Sequence, residues 1–447
     1  MRPMRRPDEG RANLMPQPHP QSVAAFAAVP APVHVVMIAH GFPPANNSAA
    51  LRALTLAERL DQQDWRTTVV SVRSERHAST DPSLAERVPA TCAVRTAFSF
   101  DTKSALSLRG RYPRLLGFPD RDASWIVPAV RQALQAHRLH PINAVWSTSP
   151  PVSAHCIAAL VQRATGTAWV AELRDPWNLG APPGPLLTRA DRRLERAVYA
   201  RADRIVVTTD GLADHLRQRG GAGSTAKIRV VPNGFDEADF ADLQGTAPPE
   251  ARFTIVHAGS CQPPYRDPRG FLHALRRGVE RGDLPSDTRV VFLGAGDALR
   301  GVIADSLSPA QLQDRVQLIG RVPHRQAIAS MLGASVLLLL QDWEQHRTSV
   351  PQKAYEYLRS GRLILAIAPP SSDTAALVTQ RPGVFLAAPT DLDEIAAQLV
   401  AAYRTWCADP HRTFTRAVSE YDRRRLASAM LAVIDEVRRD RSRAASP

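Results

Sequence analysis

Lys353 and Glu356 stand three residues apart in the run VPQKAYE that starts at Val350. Pro351 breaks the incoming chain, so a helix is expected from about Gln352, with both side chains on one face. A lysine near the positive end of a helix is locally unfavourable, and an anionic ligand would offset that. A glutamate one turn later can accept hydrogen bonds from a sugar diol. The same spacing also suits an exposed ion pair worth roughly 0.2–0.5 kcal/mol, and the two residues alone leave both readings open. Arg174 and Asp175 follow the apolar run AWVAEL. A charged pair at the carboxyl end of a buried strand lies where α/β sheets bind ligands, or it braces a loop. Gly294-Ala295-Gly296-Asp297 follows RVVFL, where glycines either admit a phosphate to a helix N-terminus or make a tight turn. Asp391-Leu392-Asp393 has metal-ligand spacing, but Glu394, three residues after Asp391, makes a helix cap the better reading. No metal site is assigned.

These residues need a scaffold, and the apolar pattern supplies one. Strands are expected at 33–39, 67–72, 144–147, 169–173, 204–208 and 228–231. A second series is expected at 253–257, 289–293, 316–318, 336–340, 363–367 and 384–386. Helices fall between them, with Ser48 as the cap of the first, and a last amphipathic helix is expected from about Thr415 to Arg438. Residues 74–123 show no readable period. Two alternating β/α series separated by a polar stretch predict two doubly wound domains with a cleft between them. The expected layout is a disordered tail at 1–31, an N-terminal domain at 32–236, a linker at 237–250, a C-terminal domain at 251–405, and a final helix at 406–447 packing back on the first domain.

Composition narrows the function. The 447 residues are 44% hydrophobic and 22% charged, as in ordinary globular proteins. There is no P-loop, no HExxH and no GxSxG string. Four separated cysteines contain no C-x-x-C pair, which argues against a disulfide framework or zinc ribbon. No apolar run reaches the roughly 20 residues that span a bilayer, and the N-terminus does not read as a signal peptide. The net charge is +13, and only three of the 56 basic residues are lysines. Spread along the whole chain, that arginine bias also fits genome composition. Nucleic acid is disfavoured as a partner, because its binders cluster cations with aromatics on one face.

The motifs as a set resemble the glycosyltransferase family 4 group. The likeness runs from about Val33 to Val437. It rests on GFPP and SAALR between Gly41 and Arg52, STSPP from Ser147, ELRDPW from Glu172, ADRIVVTTDGLADHL from Ala202 and VPNGFD from Val231. The later matches are HAG and YRDP between His257 and Pro268, GRVPH from Gly320, and TSVPQKAYEYLRSGRLILAIAPP from Thr348. The resemblance implies the α/β GT-B fold, two facing Rossmann-like doubly wound domains. It implies transfer of a sugar from a nucleotide-sugar donor, with retention and without metal or other cofactor. The acceptor would be a glycan, a lipid-linked sugar or a small natural product. On the donor side it implies Arg266 and Lys353 at the diphosphate and Glu356 at the ribose. Gly320, Arg321 and Val322 would lie near the base, with Gly259, Thr348, Ser349 and Val350 close by. On the acceptor side it implies Gly41, Phe42, Asn47, Ser48 and Arg52.

Three positions depart from the family pattern. Thr348 stands where the first of two glutamates is common, and Glu356 matches the second. Asn46-Asn47-Ser48 replaces a glycine pair. Arg174 and Asp175 follow the strand after which many relatives carry a histidine, and they become the candidates beside the reacting centre. Two rival readings remain: a sugar-nucleotide epimerase or phosphorylase on the same fold, and a non-catalytic subunit that binds a nucleotide or glycan. A cytoplasmic protein is expected. Its place at the inner face of an anionic membrane would come from Arg109, Arg111 and Arg114, beside Leu115, Leu116 and Phe118, at about 1 kcal/mol per well-placed cation.

Overall fold

The apolar runs form two parallel sheets in the computed structural model. It describes residues 32–107, 117–177, 184–220, 225–241, 243, 252–261, 266–295, 299–307, 315–341, 346–379 and 381–445. The first sheet contains β1 (His34–Ala39), β2 (Arg66–Val72), β3 (Cys92–Ala97), β4 (Ala144–Ser149), β5 (Ala168–Leu173), β6 (Arg204–Val207) and β7 (Ile228–Val230), in the order β3-β2-β1-β4-β5-β6-β7. The second contains β8 (Thr254–Ala258), β9 (Arg289–Leu293), β10 (Val316–Ile319), β11 (Val336–Leu340), β12 (Leu363–Ile367) and β13 (Val384–Ala387), in the order β10-β9-β8-β11-β12-β13. The main helices of the first half are α1 (Ser48–Asp61), α2 (Ile126–Leu139), α3 (Ser153–Thr165), α4 (Pro185–Arg201) and α5 (Asp210–Gly220). Those of the second are α6 (Arg269–Glu280), α7 (His324–Gly333), α8 (Gln352–Ser360) and α9 (Leu392–Ala408), and α10 (Arg423–Ala445) ends the chain.

Every residue of β1, β4, β5, β8, β11 and β12 is buried, and β1, β11 and β12 accordingly read as near-continuous apolar runs. Alternate residues of β1 serve opposite faces. Val36 and Ile38 pack with Ala129, Ala154 and Ile157 from α2 and α3. Val35 and Met37 pack with Leu56 and Leu60 from α1 and with Met430 and Ile434 from α10. The last helix therefore lies on the first sheet, although it follows the second in sequence. Residues 33–447 form one compact unit.

The outgoing and returning segments pair where they cross. Phe235 N donates to Tyr421 O at 3.1 Å, and Arg423 N donates to Phe235 O at 2.7 Å. Gly234 allows this approach, since a Cβ there would lie 2.0 Å from Tyr421 O. Gly234→Ala should therefore cost about 1–3 kcal/mol, seen as a lower urea midpoint with an unchanged m-value.

Several boundaries move from expectation. The edge strand β3 went unread because only Cys92 and Ala97 in it are buried, so it carries no apolar period. Asn47, not Ser48, caps α1, its side chain accepting from Ala50 N at 3.0 Å. Residues 237–241, expected as linker, form a short helix. The helix α9 continues through residue 405 to Ala408. The last helix begins at Arg423 rather than Thr415, because the segment before it is tied to the second sheet's domain: Phe414 N donates to Gly361 O at 2.8 Å.

Candidate functional site

In both sheets the strand order reverses between two neighbours: β1 and β4 in the first, β8 and β11 in the second. Ligands of doubly wound sheets gather outside the carboxyl ends of strands at such points. Here the two points face one cleft, whose central cavity measures about 430 Å³. Gly259, Arg266, Arg321, Val322, Val350, Lys353 and Glu356 line it from the second half, and Asn47, Ser48, Arg174 and Asp175 from the first.

Lys353 is 9% exposed. Its Nζ donates to Nε2 of the fully buried His257 at 3.0 Å. His257 Nδ1 donates to Leu338 O at 2.8 Å, which assigns the tautomer and leaves Nε2 as an acceptor. Burial, then the Lys353 charge, holds His257 well below its ordinary pKa. Burial, then the Arg266 charge, does the same to Lys353. Among the described residues no carboxylate lies within ion-pair distance of Lys353. Gly259, at φ +109°, makes room for the amine, since a Cβ there would lie 3.1 Å from Nζ. Arg266 Nη1 donates to Ser260 Oγ at 2.8 Å. The result is a cationic pocket walled by glycine backbone, suited to an anion.

Glu356 is 4% exposed and accepts from Gln352 Nε2 at 2.6 Å. His324 Nε2 lies 3.8 Å from it and 3.1 Å from Asp239 Oδ2. Arg423 Nη2, from the returning helix, lies 3.9 Å from it. Burial acts to lower the His324 pKa, but the Asp239 hydrogen bond and the Glu356 charge outweigh it and hold it above the ordinary value. A carboxylate this constrained is preorganised to accept hydrogen bonds from a bound ligand.

Some expected site residues have other work. Thr348 and Ser349 lie outside the cavity lining and bridge the two halves. Thr209 Oγ1 donates to Thr348 O at 2.7 Å, and Ser349 Oγ donates to Asp175 Oδ1 at 3.0 Å. Gly320 is exposed, its carbonyl accepting from Gly294 N at 3.2 Å. Phe42 is 1% exposed and belongs to the core around α1, and Gly41 packs behind the Asn47 side chain. Arg52, expected toward the acceptor, is turned inward. Its Nε donates to Glu172 at 2.8 Å, and its other nitrogens donate to Val231 O and Pro232 O at 2.9 and 2.6 Å. Thr148 Oγ1 also donates to Glu172, at 2.6 Å, and Arg174 Nε reaches Thr148 Oγ1 at 3.2 Å.

Asp175 lines a second cavity as well, of about 680 Å³, which opens along the first sheet past His40, Asp122, Ser149 and Trp177. It thus stands at the junction of the two spaces. Asp391 is a helix cap, its Oδ1 accepting from Glu394 N at 2.8 Å, and Asp393 pairs with Arg277. Gly294 lines the cleft, whereas Gly296 and Asp297 lie outside the described residues, as do Arg109, Arg111, Arg114, Leu115 and Leu116. Among the described residues no helix is long and apolar enough to cross a membrane. Sequence reading missed the roles of His257, Ser260, His324 and Arg423. His257 and His324 sat inside the quoted HAG and GRVPH strings, but nothing there marked them as partners of Lys353 and Glu356.

Comparison with known proteins agrees with this architecture. Residues 47–234 match the glycosyl transferase 4-like domain. No curated protein sequence matches the chain. Among solved structures it resembles an α,α-trehalose-phosphate synthase (UDP-forming) from Burkholderia xenovorans, with TM-score 0.61 and 13% identity over 92% of this chain and 100% of that one. It also resembles Anabaena Alr3699/HepE in complex with UDP-glucose, with TM-score 0.58 and 16% identity over 92% and 99%. A putative UDP-N-acetylglucosamine 2-epimerase from Listeria monocytogenes gives TM-score 0.57 and 14% identity over 91% and 96%. At these identities the shared property is the fold.

Proposed function

We propose that this chain, which has the GT-B fold and matches the glycosyl transferase 4-like domain over residues 47–234, transfers a sugar from a nucleotide-sugar donor to an acceptor hydroxyl. The observation that carries the reading is the buried Lys353, with no carboxylate at ion-pair distance among the described residues, beside Arg266 and one helical turn from Glu356, at the switch point of the second sheet. Arg266 and Lys353 hold the diphosphate, Glu356 takes the ribose hydroxyls, and Arg321 and Val322 flank the base. The acceptor enters through the cavity of the first half, past Asn47 and Ser48, and Asp175 orients its hydroxyl. The domain carrying the first sheet is the acceptor domain, and the domain carrying the second is the donor domain.

In the reaction the bond between the anomeric carbon and the diphosphate oxygen breaks, and a bond to the acceptor oxygen forms. The acceptor proton leaves with the diphosphate, and the configuration at the anomeric carbon is retained. Fixed cations at the leaving group stabilise its growing charge without a metal ion. Closure of the halves, through Thr209–Thr348 and Asp175–Ser349, would exclude water from the reacting centre.

The presence of UDP-glucose in the HepE structure makes UDP-sugars the first donors to try. Each candidate donor is incubated with the protein and an acceptor panel in EDTA, with nucleoside diphosphate release measured and the glycoside configuration read by NMR. Acceptor-dependent release with a retained linkage is expected. The epimerase-like fold neighbour gives the second reading its weight, and the same assay separates it: a change of sugar configuration without acceptor would replace transfer with epimerisation. Binding of a donor with neither outcome would leave a non-catalytic subunit.

A further inference from the structure

Beyond the C-terminal end of α8, away from Lys353, lies a separate cavity of about 500 Å³, a size typical of small-ligand sites. Two arginines in its wall, Arg362 and Arg416, are each 8% exposed. Among the described residues Arg416 donates to carbonyls, Nε to Pro382 at 3.0 Å, Nη1 to Leu358 at 3.2 Å and Nη2 to Arg362 at 2.8 Å, and its guanidinium lies 5.6 Å from the centre of the Phe414 ring. Among the described residues Arg362 makes no side-chain hydrogen bond, and its buried Nε has no partner there. Among the described residues no carboxylate lies within ion-pair distance of either arginine. The remaining cation of the wall, Arg359, is already paired with Glu237. Burial lowers the Arg362 pKa, and burial together with the Arg381 charge brings Arg416 down to about 10.

A buried charge without a partner is costly. Two of them facing one cavity call for an anion. Two cations without a carboxylate partner among the described residues match the charge of about −2 that a phosphomonoester carries at pH 7, and Arg362, whose Nε is unpaired there, is the less satisfied of the two. The hydroxyls of Thr413 and Thr415, also in the wall, add donors for the remaining oxygens. The volume leaves room for the organic part of such an ester.

We propose that this cavity is a second, anion-binding site that takes a phosphomonoester, with Arg362 as its main cation. The ester is either a free metabolite or a lipid headgroup, and the two are separable. Wild type, Arg362→Met and Lys353→Ala are melted in chloride, inorganic phosphate and glycerol 3-phosphate at equal ionic strength. In chloride, R362M should melt at or above wild type, because an unpaired buried charge has gone. Phosphate or glycerol 3-phosphate should raise the wild-type midpoint by about 2 °C or more, should do the same for K353A, and should leave R362M unmoved. Co-sedimentation with vesicles containing phosphatidic acid, lost in R362M and without any response to the soluble esters, would assign the headgroup as the source. If R362M gives no cooperative melt, Arg362→Gln replaces it. The proposal is overturned if R362M responds as wild type does. It is equally overturned if wild type responds to neither inorganic phosphate nor glycerol 3-phosphate and does not sediment with the vesicles, or if K353A alone abolishes the response.

Discussion

Lys353→Ala should lose most of the protein's affinity for the nucleoside diphosphate of its donor, by about two orders of magnitude. A charge-assisted hydrogen bond from a buried cation is worth about 1.5–3 kcal/mol, and the group behind Lys353 cannot take its place, because His257 Nε2 is an acceptor; Arg266 remains as the second cation of the pocket. The protonation of Lys353 sharpens the expectation. Its pKa in the free protein is held well below the ordinary lysine value by burial and by the Arg266 charge. A bound diphosphate reverses that balance, so the bound-state pKa is higher than the free one. Binding then takes up a proton at any pH between the two values. Affinity is strongest below the free-state pKa, falls as pH rises through the interval by up to about tenfold per unit, and levels off above the bound-state pKa. Calorimetry in two buffers of different ionisation enthalpy measures the uptake directly. Lys353→Ala should abolish both the uptake and the pH slope, whereas Lys353→Arg, whose charge is fixed, should bind without taking up a proton.

The second large effect concerns stability. Arg52→Ala should destabilise the protein by about 3–5 kcal/mol, the cost of leaving a buried charge without its partner. Glu172 is fully buried, and Arg52 is its only ion-pair partner among the described residues. Loss of the guanidinium also strands the carbonyls of Val231 and Pro232, which it ties to α1. Glu172→Gln alone should cost less, because a neutral amide can still accept from Thr148. The double variant Arg52→Met/Glu172→Leu should recover much of the loss, since apolar replacement of both partners is often neutral. Chemical denaturation of wild type, Arg52→Met, Glu172→Leu and the double variant forms a double-mutant cycle, and additivity of the single losses would refute the pairing.

Much of the scaffold was legible in the sequence, for a simple reason. Strands buried on both faces are mostly apolar, so β1, β11 and β12 stood out as runs dominated by Val, Ile, Leu and Met. Lys353 and Glu356 were legible because a proline fixes where their helix begins. The edge strand β3 was not, because its outward residues need not be apolar. Arg52 was misplaced for a different reason: a helix period shows which face a residue occupies, but not that the chain at 231–232 passes beneath that face. His257, His324 and Arg423 reach Lys353 and Glu356 from three other elements, up to 96 residues away in the case of His257. Sequence spacing carries no signal for contacts of that kind.

The central claim is that the cleft holds the diphosphate of a nucleotide sugar on Lys353. Titration calorimetry of UDP, GDP and ADP into the wild-type protein and Lys353→Ala, both in EDTA, tests it most directly. The account predicts that one nucleoside diphosphate binds wild type at a stoichiometry of about one, with proton uptake, and that the variant loses at least about 1.5 kcal/mol of that affinity. Binding of equal strength to a folded Lys353→Ala protein, or no binding of any of the three to wild type, would contradict it.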